Sequence, residues 1–303
     1  MKNKKLMGSI FVLISGVLWG HTCYFSNNLS DLGMSKSGIG MLRLCISFIL
    51  MLVYMLVFHR SKMKMPPKAL VFSILGGLIG MVTCSVVYFY AIEMTGASVA
   101  AVLMYTAPSF TIIISRFVFK EIITVKKLIC LMLAFLGSVM VSGLFNGNQA
   151  NVQIVGILIG VFVGLCYALY GIFSSLAMNN KAEPEGVTLY ALTASSVAML
   201  IFTACIGQLP LTVDIFLHSK KAFALASGQA IFNCVLPYIL FTVGVKYTGP
   251  SNASIMSTTE LVVAAMIGAV SFGERIGIIG YTGIAVVILS IVILNIEKPL
   301  KKK

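Results

Sequence analysis

Apolar residues run along this chain in ten blocks: 6–26, 37–58, 69–92, 97–119, 125–144, 153–175, 187–207, 222–243, 250–272 and 277–296. Each block approaches or exceeds the ~20 residues that carry an α-helix across the hydrocarbon core of a bilayer. Nothing inside the blocks alternates at period two, as a barrel strand would, whereas a helix satisfies its own backbone in lipid. The connections reach about a dozen residues at most and leave no room for a soluble domain. The pattern predicts an all-α membrane protein with ten transmembrane helices.

The blocks are related to one another. Thr95-Gly96-Ala97-Ser98-Val99-Ala100 heads a run that closes on Glu121, and Thr248-Gly249-Pro250-Ser251-Asn252-Ala253 heads one that closes on Glu274, at an offset of 153. Upstream, Gly8, Gly16, Phe25 and Ser26 are echoed by Gly156, Gly164, Phe173 and Ser174 at an offset of 148, with Trp19 answered by Tyr167. Two copies of one five-helix unit account for both offsets if one loop is longer. The expected units are residues 1–148 and 149–303, joined through the polar link at 146–151. Five is odd, so the second unit enters the membrane from the opposite side. Inverted repeats of this kind are the mark of secondary carriers, whose halves exchange inward-facing and outward-facing shapes.

Composition adds charge to this picture. The chain is 59% hydrophobic and 10% charged, with a net charge of +13. The excess might suggest nucleic acid as a partner, but its distribution excludes that. With ten crossings and the N-terminus inside, 17 of the 22 Lys and Arg fall on the cytoplasmic side. Lys36, Lys220, Lys221 and Arg275 fall outside, and Arg43 lies within a span. The positive-inside rule then puts both termini in the cytoplasm, with the basic loops against anionic lipid headgroups. The Lys-rich start mimics a signal peptide, yet no small-residue cleavage site follows, so it reads as the first retained helix. The seven cysteines lie within spans without CxxC spacing and read as small buried hydrophobes, so no metal or other cofactor is expected. There is no nucleophile–base motif and no G-x-x-x-x-G-K-[ST] sequence, which argues against an enzyme and against an ATP-driven pump.

Glu260, at the middle of the ninth block after Ser257-Thr258-Thr259, is the first candidate for chemistry. A carboxylate at bilayer depth costs ~2.5–3.5 kcal/mol or more, so it should face a cavity or a partner, where it could bind substrate or a proton. A neutral, hydrogen-bonded structural acid is the alternative. Pro108, in Tyr105-Thr106-Ala107-Pro108-Ser109, lies one residue past the matching position of the first unit. It should break the helix and leave carbonyls free near mid-membrane. Interrupted helices at corresponding positions point to a substrate site in such folds. His21 could bind substrate or shuttle protons, or could simply bond a backbone carbonyl. Arg43 could hold an anionic group or pair with a carboxylate, or could snorkel to the surface. Trp19, Tyr88, Tyr105 and Tyr167 could line the pathway, while Tyr and Trp also mark membrane interfaces. Gly16-xxx-Gly20, Gly76-xxx-Gly80 and the series Gly156, Gly160, Gly164 allow close helix packing, within the bundle in the first place, since ten helices must pack, or across a dimer; the chain is expected as a monomer or a homodimer.

The run Ala91 to Leu103, then Pro108, then Lys120-Glu121, resembles the EamA-domain signature of the drug/metabolite transporter superfamily, and Leu18-Trp19-Gly20, Arg43 and Gly273-Glu274-Arg275 fit the same pattern. The resemblance covers the whole chain as two such units. It implies a ten-helix inverted repeat around a central cavity, and export of small organic metabolites. Two positions depart from the pattern. Glu260-Leu261 stands where a glutamate–proline pair is usual, and His21-Thr22 where a small polar residue and asparagine are common. The expectation is a bacterial plasma-membrane carrier that exports an amino acid or similar small molecule, with substrate near Trp19, Tyr105, Pro108 and Glu260. Rival readings are an uptake carrier and a sensor or scaffold without transport; a channel is disfavoured, because no ring of charges or filter loop is present.

Overall fold

A computed structural model describes residues 2–142, 153–274 and 276–296. The 146–151 link, Arg275 and the basic tail from Lys298 lie outside the described residues, which form helices joined by turns and no strand. In chain order the helices are α1 Asn3–Ser30, α2 Lys36–Phe58, α3 Pro67–Thr95 and α4 Ala97–Val118, then α5 Val125–Val141, α6 Ile154–Asn179 and α7 Pro184–Cys205. They continue with a short α8 Leu209–His218, α9 Lys220–Thr248, α10 Pro250–Phe272 and α11 Ile278–Asn295. Nine of these are long and apolar enough to cross a membrane. The fifth apolar block forms α5, which at 17 residues is shorter than the rest. Helix α8 was not anticipated: the connection between α7 and α9 folds into a ten-residue helix of its own. Large apolar side chains point outward around the bundle, Phe117 at 80% exposed, Val270 and Ile278 at 85%. Exposed apolar surface on that scale suits lipid rather than water.

The long helices pack in a pattern that repeats when the halves are exchanged. Helix α1 lies against α9 and α10, and α6 lies against α3 and α4; α2 meets α9 while α7 meets α3; and α2–α7, α4–α10 and α5–α11 pair across the middle. The glycines at matched positions do matched work. A Cβ at Gly8 would lie 2.7 Å from Tyr247 Cβ, and one at Gly156 would lie 2.6 Å from Met94 Cβ. Gly16 faces the Ser257–Thr259 stretch of α10, as Gly164 faces Leu103–Thr106 of α4. The small-residue series therefore packs helices inside the bundle.

Several helices break in mid-course, and the breaks have identifiable causes. In α10 the break falls at Ser257–Thr258 without any proline. Ser257 Oγ donates to Ser254 O (2.9 Å), Thr258 Oγ1 to Ile255 O (2.7 Å) and Thr259 Oγ1 to Met256 O (2.8 Å). Three consecutive hydroxyls bonding back onto their own helix loosen the regular ladder. In α4 the break is at Tyr105–Thr106, and Pro108 sits in the first turn of the segment that follows. The carbonyls expected to be left free there are not open: Thr106 Oγ1 donates to Leu103 O (2.6 Å), and Gly164 packs against Leu103 O and Met104 O. Helix α1 breaks at His21, where Thr22 Oγ1 donates to Trp19 O (2.6 Å). Helices α3 and α9 each carry a π-helical stretch, Gly76–Thr83 and Ile231–Val235. Gly96 (φ 81°) and Gly249 (φ 79°) turn the chain between helices in the same left-handed conformation, which explains glycine at both.

Three lysine–glutamate pairs gather at one end of the bundle, while on α8 His218 Nδ1 lies 3.0 Å from Asp214 Oδ1. Lys62 Nζ lies 2.6 Å from Glu185 Oε1, Lys246 Nζ 2.7 Å from Glu183 Oε2 and Lys127 Nζ 2.8 Å from Glu121 Oε2, and Tyr190 OH donates to Met63 O (3.0 Å). The hydrogen bond to Glu185 raises the Lys62 pKa. Its stabilising contribution is therefore complete below the ordinary lysine value of ~10.4 and fades only as pH rises through the higher folded value.

Gly164→Val would push α6 off α4, and Gly16→Val would push α1 off α10. Overpacking of this kind costs ~1–3 kcal/mol. Both variants should lower the melting temperature of the detergent-purified protein by comparable amounts, and unchanged melting would show that the contacts are not tight.

Candidate functional site

The breaks in α4 and α10 lie beside the middles of α1 and α6, and the side chains gathered there form the candidate site. Trp19, 7% exposed, comes from α1 just before its break. Its ring lies edge-on to Tyr238 (centroids 5.2 Å apart) and Tyr167 (6.5 Å), and tilted against Phe241 (5.3 Å). Tyr170 packs edge-on to Tyr238 at 4.9 Å and hydrogen-bonds to Thr242 Oγ1 at 3.1 Å. Edge-to-face contacts of this kind add ~0.5–1.5 kcal/mol each beyond burial and fix ring orientation.

Glu260 occupies the first turn of the second segment of α10. Tyr167 OH donates to its Oε2 at 2.9 Å. The partial positive charge at a helix start favours a carboxylate there, and Tyr105, Tyr88 and Arg43 lie within electrostatic range of it. A narrow cavity of about 20 Å³, little more than one water molecule's room, runs between Trp19, Tyr167, Tyr238, Ser254 and Ser257. Across it Thr111 Oγ1 donates to Ser254 Oγ at 3.2 Å, joining α4 to α10. Aromatic walls and several hydroxyls thus surround a space that in this shape admits water rather than an organic molecule, beside a carboxyl group that can hold or release a proton.

The sequence candidates are thus distributed unevenly. Trp19, Tyr167 and Ser257 line the cavity, Glu260 is bonded to one of its walls, and Tyr88 and Tyr105 lie within electrostatic range of that carboxyl group. His21 is not brought to the cavity wall; its Nδ1 lies 2.9 Å from the Val17 carbonyl of its own helix. Pro108 is buried in α4 away from the wall, where Thr111 stands instead. Arg43 does not snorkel: it lies within electrostatic range of Cys84, Cys234, Tyr238 and Glu260, yet forms no ion pair, and its Nε is buried without a partner. The sequence reading missed the face of α9 that carries Tyr238, Phe241 and Thr242. The 153-residue offset held the clue, since it pairs Phe241 with Tyr88. Among the described residues no cluster of three or more His, Cys, Asp or Glu side chains is placed to hold a metal ion.

An apolar bundle of membrane-length helices around a small aromatic-walled cavity, with a carboxyl group bonded to its wall, describes a multi-pass membrane transporter, and comparison with known proteins agrees. The chain belongs to the EamA-like transporter family, whose pattern it matches over residues 6–143 and 154–296. An uncharacterized transporter of Archaeoglobus fulgidus is 27% identical over 94% of this chain and 95% of its own length. The uncharacterized transporter YyaM of Bacillus subtilis is 24% identical over 85% of this chain and 83% of its own. A solved crystal structure shares the fold with a TM-score of 0.75 at 14% identity, covering 95% of this chain and 96% of that one.

Trp19 is the only tryptophan of the chain, so its emission reports on this site directly. Tyr167→Phe removes a hydrogen bond to a carboxyl group, worth ~1.5–3 kcal/mol when the group is charged, without emptying the wall. It should shift Trp19 emission while leaving the helical content unchanged, and an emission spectrum identical to wild type would separate the two residues.

Proposed function

We propose that this transporter is a secondary carrier that exports a small organic metabolite, an amino acid or similar molecule, from the bacterial cytoplasm by alternating access. The observation that carries this reading is the meeting of Trp19, Tyr167 and Glu260 between two helix breaks, in α4 and α10, in the centre of the bundle. In this reading the ten apolar blocks cross the plasma membrane as two inverted five-helix units, with α5 as the fifth crossing and both termini in the cytoplasm. Support comes from the exchange-invariant helix pairing, the two left-handed glycine turns and the two π-helical stretches.

The ion-paired end then faces the cytoplasm. Under the repeat offsets Glu183 and Glu185 correspond to Ser35 and Ser37, and Lys246 to Glu93, which cannot make the same pairs. The two ends are therefore held shut by unequal forces, and the pairs bias the cytoplasmic end toward closure. Glu260 gives up and takes back a proton as the two shapes alternate, with Tyr167 OH orienting its carboxyl group. His21 is left out of the proton path because its ring bonds its own helix.

Two measurements test this reading. Glu260→Gln, expressed to wild-type level in the membrane, should abolish the dependence of transport on a pH gradient; unchanged dependence would sink proton coupling at this residue. Each partly exposed pair is worth ~0.2–1 kcal/mol, so Glu183→Gln with Glu185→Gln should raise labelling of the buried Cys84 and Cys234 from the cytoplasmic side by between about twofold and thirtyfold. Equal labelling of variant and wild type would mean the pairs do not govern closure.

A further inference from the structure

Among the described residues five buried polar side-chain atoms find no partner: the hydroxyls of Ser115 and Ser174, and three larger groups, Arg43 Nε, Gln229 Oε1 and Asn233 Oδ1. Buried polar atoms find partners in most proteins, and each one left over calls for an explanation. Gln229 and Asn233 are 1% and 0% exposed and stand four residues apart, on one face of α9. Asn233 sits within the π-helical stretch Ile231–Val235, a distortion that recurs at functional sites. The amide of Asn233 donates to the Leu18 carbonyl, beside Trp19, and that of Gln229 donates to Ser26 Oγ (3.1 Å). A carbonyl can only accept, so the NH2 of Asn233 must face α1 and its oxygen is the end left over. One turn further along α9, Tyr238 packs on Trp19 and lies within electrostatic range of Arg43.

The two halves provide an internal control. The repeat offsets pair Gln229 with Gly76, Asn233 with Gly80 and Arg43 with Ala191. In the first half those small residues serve close packing: a Cβ at Gly80 would lie 2.5 Å from Tyr170 Cβ, and Gly77 lies against the Ala191 carbonyl. Small residues thus suffice for building this architecture. The second half places two amides, and α2 an arginine, where structure asks only for glycine or alanine.

We propose that Arg43, Gln229 and Asn233 form a two-ended polar subsite for a zwitterionic solute. The guanidinium receives the solute's carboxylate, the two amide oxygens accept N–H bonds from its ammonium group, and Trp19 and Tyr238 flank its carbon skeleton. Guanidinium suits a carboxylate because its N–H groups match the two oxygens. Glu260 is left free for the proton. This inference rests on the carrier reading and names the chemistry its solute must have.

The test uses the full-length protein in lipid nanodiscs, with Trp19 emission as the readout. The probes are the proteinogenic amino acids, their carboxamides, which lack the anionic end, and their N-acetyl derivatives, which lack the cationic end. Wild type should bind at least one amino acid at least tenfold more tightly than either derivative. Arg43→Gln should erase the discrimination against the carboxamide while keeping that against the N-acetyl compound. Asn233→Ala should do the reverse. Arg43→Lys, which keeps the charge, and Gln229→Leu guard against a misfolded variant, and should lose about three- to tenfold in their respective discriminations. Amino acids that bind wild type and Arg43→Gln with the same selectivity would overturn the subsite while leaving the carrier intact. If no compound changes emission and none is transported by wild type, the carrier reading falls and the subsite with it.

Discussion

Gly16 on the broken stretch of α10 and Gly164 on the broken stretch of α4 are the contacts on which the interior depends. Lipid supplies no hydrophobic force to draw helices together, so close approach rests on small residues that let backbones touch. At both contacts a regular stretch of a helix of one half lies against the break in a helix of the other. Trp19 follows Gly16 by three residues and Tyr167 follows Gly164 by three. Seating the glycine therefore aims the aromatic ring at the break. The cavity, the Tyr167–Glu260 hydrogen bond and the Trp19 cluster all follow from that registration.

Polar groups in such a bundle have to be satisfied from within. Most hydroxyls do this locally, by donating to a carbonyl three or four residues back in their own helix, as Ser15, Thr95, Ser138 and Thr248 do. Where three occur in a row, at Ser257–Thr259, the same habit opens the helix and produces a break without proline. The same chemistry thus serves stability at scattered sites and function at a concentrated one. Charge follows a different rule: the lysine–glutamate pairs gather at one end of the bundle, while Arg43 and Glu260 stand inside without pairing to each other.

The pattern of apolar blocks was enough to place the helices, because a membrane-length apolar run has few other ways to satisfy its backbone. Their ends shifted by a few residues in either direction, and α1 and α9 extended furthest, through polar positions that a hydropathy window trims. The internal echoes also marked Gly8, Gly16, Gly156 and Gly164, whose packing is as paired as their spacing. Individual side chains were less legible. His21 and Pro108 stand in the sequence next to the right neighbours, yet a helix turns by about 100° per residue, and both end up off the cavity wall. Tyr238, Phe241 and Asn233 lie in an apolar block with nothing nearby to single them out.

The sequence by itself determined the class of the protein, the number and length of its apolar segments, their internal duplication and the presence of a buried acid. These are one-dimensional properties, set by composition and period along the chain. Only the tertiary structure decided which faces of α1, α6, α9 and α10 look at one another, and hence that Tyr167 is the partner of Glu260 and that Arg43, Gln229 and Asn233 are left with polar atoms to offer. Partnership between helices many tens of residues apart depends on rotation about each helix axis, which is settled by the glycine contacts between helices rather than by any local preference of the chain.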